Sequence, residues 1–202
     1  MGKLSQKRQA FTEQYIRESA YAAVLEVLKK YGLEKLTIQR VAASAGIGTG
    51  TLYNYFKDKD ALLVYTTVRL FDQIRHQQRE AVEAARTPVK KLYALLEATF
   101  TFFSRNIVYF RFLDQAQVYC KIDMAVKHDH VNREKLLMSS IIQKGAEDGL
   151  FKAVNPKKAA DFFQRAMVGT LCMAPELGDF DPKREAASLL KMFRVYLSPS
   201  NG

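Results

Sequence analysis

The sequence predicts an all-α chain of about nine helices. Three observations predict it. Apolar residues recur at three- and four-residue intervals along most of the 202 residues. Thr87-Pro88, Asn155-Pro156 and Asp181-Pro182 each set a capping residue before a proline and an amphipathic run after it. A cap oxygen takes one orphan N–H, and proline at a first helical position has no N–H to leave unpaired. No alternating apolar run bounded by turn residues suggests a strand.

The elements follow in order. The first helix, near 9–31, aligns Ile16, Ala20, Val24, Val27 and Tyr31 on one face and stops at Gly32, a residue that accepts the left-handed conformation of a helix end. Two short helices come next, near 38–44 and 49–55. A long helix near 58–86 carries Leu62, Leu63, Thr66, Leu70 and Ile74. Thr87-Pro88 opens a helix near 88–104 with Val89, Leu92, Leu96, Thr99 and Phe103, and a separate helix is expected near 106–123. One near 127–148 ends at Gly149. The last two, near 156–173 and 182–198, begin at their capped prolines and stop at Pro175 and Pro199.

Composition bounds the function. Hydrophobic residues make up 48% and charged residues 26%, an ordinary globular balance. No apolar run approaches the roughly 20 residues that span a bilayer. Met1 to Phe11 is polar and basic, without the apolar stretch of a secretory signal. Cys120 and Cys172 have no CxxC partner and sit in apolar helical patterns, so both read as reduced core residues of a cytoplasmic protein. The net charge of +10 favours a polyanionic partner. It does not locate the site, because the excess is spread: residues 1–60 hold ten basic and six acidic residues, the remainder 21 and 15.

The informative stretch runs from Tyr31 to Leu63. Thr37 is a good cap for a short helix whose inward residues are Ile38, Val41, Ala42 and Ala45. Gly46 permits a tight turn. A second short helix keeps Leu52 and Phe56 on its buried side and presents Thr49, Thr51, Tyr53, Asn54 and Tyr55 elsewhere. Two short helices on a glycine turn, the second rich in hydroxyls, describe a helix-turn-helix. Thr37, Gly48 and Thr49 stand at helix starts, where backbone N–H groups suit phosphate. Gly48 and Gly50 let a duplex come close, and threonine and tyrosine can touch base edges and thymine methyls. Gln39 on the first short helix, with Lys57 and Lys59, completes the expected DNA face. GIGTG at 46–50 is not a dinucleotide loop, because a helical run and not a strand precedes it.

This stretch resembles the DNA-binding domain of the tetracycline-repressor (TetR) family. The residues that carry the resemblance are Tyr31, Gly32, Thr37, Val41, Ala42, Ala45, Gly46, Ile47, Gly50, Leu52, Tyr53, Tyr55, Phe56, Lys59 and Leu62. Two positions depart from the common pattern: Tyr55 stands where many members have histidine, and Gly48 where serine or threonine often caps the recognition helix.

The resemblance implies a three-helix DNA-binding domain over 1–57 and a helical ligand-binding and dimerisation domain over 58–202. It implies a homodimeric, ligand-responsive repressor on a palindromic DNA operator, with paired recognition helices roughly 34–36 Å apart. The last two long helices would pair with a second copy, through Phe162, Phe163, Ala166, Met167, Thr170, Leu189, Phe193 and Tyr196. The aromatic-rich middle helices would hold a small apolar or aromatic effector, with Phe100, Phe103, Phe112, Gln115 and Tyr119 as expected lining. Tilt of the helix that starts near Lys59 would carry the signal.

Other classes fit less well. His128 and His130 point apart on a helix, no HExxH motif accompanies them, and with His76 they read as solvated. No nucleophile elbow or catalytic cysteine signature is present, so neither an enzyme, a cofactor nor a metal site is expected. The alternative is a helical small-molecule or lipid-binding protein that has lost DNA reading.

Overall fold

The computed structural model describes residues 3–174 and 179–198, and among these it contains nine helices and no strand. In order they are α1 (Lys3–Tyr31), α2 (Ile38–Ala45), α3 (Thr49–Tyr53), α4 (Lys59–Ala84), α5 (Pro88–Gln115), α6 (Val118–Lys121), α7 (Met124–Glu147), α8 (Pro156–Met173) and α9 (Pro182–Leu197). The expected stops Pro175 and Pro199 lie outside the described residues. The chain forms two compact units, Met1–Leu70 with Val108–Ile122, and Phe71–Ile107 with Asp123–Gly202.

In the first unit α1 packs on α2, and α2 on α3. Ile16, Ala20, Val24 and Val27 of α1 are buried as the spacing predicts, with Leu28, Leu36, Ile38, Val41, Leu52 and Phe56, whereas Tyr31, expected on the same face, is exposed. Gly32 ends α1 at φ 75°, its N–H reaching the Leu28 carbonyl at 3.0 Å. Local chemistry explains these boundaries, which is why the sequence shows them.

In the second unit α8 packs on α7 and on α9. Its core joins Leu92, Leu96 and Phe100 of α5 to Met138, Ile141 and Ile142 of α7, Phe163 and Met167 of α8, and Leu189 and Phe193 of α9. Asn155 and Asp181 cap α8 and α9, accepting from Lys158 N and Arg184 N. Gly145 lets α7 meet Phe151, whose ring occupies the place where a side chain at 145 would begin.

Three helices also meet on one buried carboxylate, and a fourth joins them through Gln78. Gln78 of α4 donates to Glu134 of α7 at 2.8 Å and to Thr99 of α5 at 2.8 Å, and Gln164 of α8 donates to the other Glu134 oxygen at 2.6 Å. Burial holds the Glu134 carboxyl above the usual carboxylate range, with the two amides acting against that shift.

Three expectations are corrected. The helix expected to end near 104 runs on to Gln115. Asn106 sends its amide back to the Phe102 carbonyl at 2.8 Å and so caps nothing new. The break comes instead at Gln117, in the left-handed region at φ 51°, and the helix expected over 106–123 shrinks to the short α6. Cys120 and Cys172 are free, as read, but exposed and not part of the core. His130 is not solvated: its ring stacks on Phe71 at 4.3 Å. His76 and His128 are exposed.

Candidate nucleic-acid interface

The first unit builds an outward-facing short helix from the bottom up. Thr37 has extended backbone, and its hydroxyl accepts from Arg40 N at 3.1 Å, which starts α2. Gly46 ends α2 in the left-handed conformation at φ 66°. The Gly46 and Ile47 N–H groups return to the Ala43 and Ala42 carbonyls, so the turn satisfies itself. Ser44 donates to Glu26 at 2.8 Å, and the Arg40 guanidinium lies 4.7 Å from the centre of the Tyr31 ring. These contacts hold α2 on α1.

On that support α3 is anchored from below. Leu52 is its buried residue, and Phe56, just beyond its end, is buried as well. Gly50, Thr51, Tyr53 and Asn54 are exposed, with Tyr53 45% exposed. Thr49 and Tyr55 are half-buried. Gly48 caps α3 without a side-chain hydrogen bond, so its first turn keeps orphan N–H donors. A side chain at Gly50 would meet nothing within 4 Å. The helix therefore offers a small, hydroxyl-bearing surface with free donors at its start.

The flanking residues divide by what they already touch. Gln39 and Lys57 are exposed, and the Lys57 ammonium is 3.9 Å from Asp58. The Thr37 hydroxyl is used as a cap, although the residue is exposed. Lys59 donates to the Leu33 carbonyl at 2.9 Å and so ties the start of α4 to the end of α1. Arg17, which the sequence reading did not single out, lies 5.7 Å from the centre of the Tyr55 ring and 5.4 Å from that of Phe56. Nothing local to Arg17 announces this contact, because its partners lie more than 35 positions away.

The other expected residues fall in several places. Phe100 and Phe103 belong to the second unit, Phe100 fully buried in its core, whereas Phe112, Gln115 and Tyr119 belong to the first. A depression of about 240 Å³ in the second unit is lined by Val82, Pro88, Leu137 and Ile141 together with Arg86, Lys91 and Lys144, and includes none of those five. Of the residues expected to meet a second copy, Phe162 and Tyr196 are exposed. Ala166 and Thr170 are half-buried, and Phe163, Met167, Leu189 and Phe193 lie inside the chain's own core.

Known proteins resemble this chain in sequence and in fold. The sequence profile described as bacterial regulatory proteins, tetR family, matches residues 21–66, from within α1 into α4. The HTH-type transcriptional repressor KstR of Mycolicibacterium smegmatis is 30% identical over 133 residues, 66% of this chain and 64% of that protein. The fatty acid metabolism regulator protein of Bacillus subtilis is 23% identical over 133 residues, 64% of this chain and 68% of that protein. The chain thus spans just under two thirds of the length of KstR. A solved TetR transcription regulator from Haloarcula marismortui has a TM-score of 0.76 at 19% identity, with 91% of this chain and 98% of that one covered, a likeness of fold. The glycine turn, the anchored outward helix and the profile fall on one stretch of chain, and residues 21–66 form a domain of the tetR family of bacterial regulatory proteins.

Proposed function

We propose that this protein is a cytoplasmic transcriptional repressor that binds a palindromic operator as a homodimer and leaves it when a small apolar or aromatic effector binds. The observation that carries the reading is the outward α3: Leu52 is held inside while Thr51, Tyr53 and Asn54 face solvent. In the major groove Tyr53 and Asn54 read base edges, Thr51 packs its methyl on thymine, and the uncapped N–H groups beside Gly48 and Thr49 hold phosphate. Gln39 and Lys57 add contacts to the backbone. The DNA-binding part extends over 1–57 and the effector and dimer part over 58–202.

Support for the dimer comes from the last two helices. Phe162 and Met173 on α8, and Met192, Val195 and Tyr196 on α9, are large apolar residues left exposed. Their pairing with a second copy removes that surface from water and places two recognition helices about one turn of DNA apart. The Bacillus subtilis relative is a fatty acid metabolism regulator protein, which favours an effector with an apolar body. Effector binding acts through α4, which begins beside the recognition helix and continues into the second unit. A coupling of about 1–3 kcal/mol lowers DNA affinity some 5- to 150-fold.

The test is a gel shift on the DNA upstream of the protein's own gene. Tight, salt-dependent binding by two protomers or a multiple is expected, and Tyr53→Ala should weaken it by about 1–3 kcal/mol. Unchanged affinity in that variant takes Tyr53 out of the site. No specific binding by the wild-type chain ends the reading.

A further inference from the structure

The opening turns of α1 lean on nothing in their own chain. From Leu4 to Tyr15 every residue is exposed except the half-buried Glu13. Leu4 is 74% exposed, Phe11 73% and Tyr15 63%, and the core begins only at Ile16. An isolated helix of about a dozen residues is marginal in water. Rigid attachment to the rest of α1 helps this one, but three large apolar side chains remain bare along it.

These residues are ordered. Leu4, Arg8, Phe11 and Tyr15 follow spacings of four, three and four, so they share one stripe of the helix. Charge along the segment is one-sided. Lys7 and Arg8 have no ion-pair partner among the described residues, whereas Glu13, the sole acid before Glu18, is bound to Arg17 at 2.9 Å. Ser5, Gln6, Gln9 and Gln14 add exposed hydrogen-bonding groups. A protein partner would need an acidic patch matched to these two cations. A polyanion pairs them.

The position of the stripe fits the same partner. Arg17 lies over the ring of Tyr55, two residues past the end of the recognition helix. Toward its N-terminus, therefore, α1 leaves the folded unit beside the end of α3, and the residues before Arg17 carry it roughly 20 Å further at 1.5 Å per residue. We infer that residues 4–15 are a second DNA grip, lying along the sugar–phosphate backbone that flanks the half-site. Lys7 and Arg8 pair with phosphates, and the rings of Phe11 and Tyr15 lie against the deoxyriboses. The inference rests on the reading of α3 as the recognition helix. It adds a surface that α3 does not need in order to read bases.

The probe is a duplex selected from a random pool by the full-length wild-type chain, used as the minimal core and with eight base pairs added on each side. The wild-type chain should bind the longer duplex about tenfold more tightly. Lys7→Ala with Arg8→Ala should abolish that advantage and lower the slope of log K against log salt by about two per protomer, at 0.9 per phosphate. The core duplex should still be bound with sequence preference. A second pair, Phe11→Ala with Tyr15→Ala, should reduce the length advantage without changing the salt slope. Unchanged slope and length dependence in the charge variant overturn the grip while leaving the α3 reading intact. Loss of self-association in the aromatic variant, with DNA binding unaffected, would overturn it in favour of a contact between copies. A wild-type chain that selects no duplex sinks both readings.

Discussion

Gly50 lies exposed within α3, and a methyl group there would touch nothing in the chain. The fold has no use for this glycine, since alanine favours a helix by about 0.5–1 kcal/mol. The only thing a methyl could strike is whatever approaches the outer face of α3. Gly50→Ala should therefore hold or raise the melting temperature while weakening operator binding about tenfold or more, within the range for a lost base contact. Equal or tighter binding would show that no duplex comes close at this position. Residues whose role is local were readable from the sequence: Thr37 caps α2 and Gly46 ends it because cap and turn chemistry act within four residues. Lys59 was not. Its ammonium bonds the Leu33 carbonyl, a partner 26 residues away that spacing alone cannot supply.

At the scale of elements, α7 carries the least legible features. His130 and Glu134 sit one turn apart on it, and neither has the environment that its residue type suggests. His130 is stacked on Phe71 of α4, and burial lowers its pKa from 6.5 to about 4, with Arg75 adding to the effect against Asp72 and Asp129. In the window between those two values the unfolded chain binds the proton and the folded chain does not. This contribution to stability is therefore complete above about pH 6.5 and is lost as the pH falls. Glu134 acts in the opposite sense: its raised pKa means that stability falls as pH rises past the unfolded carboxyl's pKa. His130→Phe keeps a ring on Phe71 and removes the first effect alone. Between pH 7 and pH 5 the wild-type chain should lose about 2 kcal/mol more unfolding free energy than the variant, measured in urea. Equal losses would mean that His130 titrates normally. The hydrogen-bonded network around Glu134 had no signature in the sequence either. Gln78, Thr99, Glu134 and Gln164 belong to four helices and converge only when those helices pack.

For the whole molecule, assembly is the property that matters most. Val195 is 76% exposed and Met192 71%, so glutamate at either position costs the isolated chain little. If α8 and α9 pair with a second copy, each substitution is met twice in one interface, where an unpaired buried charge costs several kcal/mol. Val195→Glu and Met192→Glu should each weaken self-association by about 100-fold or more, roughly 3 kcal/mol, as read by sedimentation equilibrium, with the circular dichroism spectrum unchanged. A dimer that survived both would place the interface elsewhere. By itself the sequence determined the all-α class, the capped starts of α8 and α9, and the helix-turn-helix of Tyr31 to Leu63, because periodicity, caps and glycine turns are interactions within about one helical turn. Tertiary structure alone decided the unbroken course of α5, the exposure of Cys120 and Cys172, the stacking of His130, and which faces of α8 and α9 stay bare. Each of these depends on what a distant segment covers or leaves open, and an amphipathic pattern states that a face is to be buried without naming what buries it.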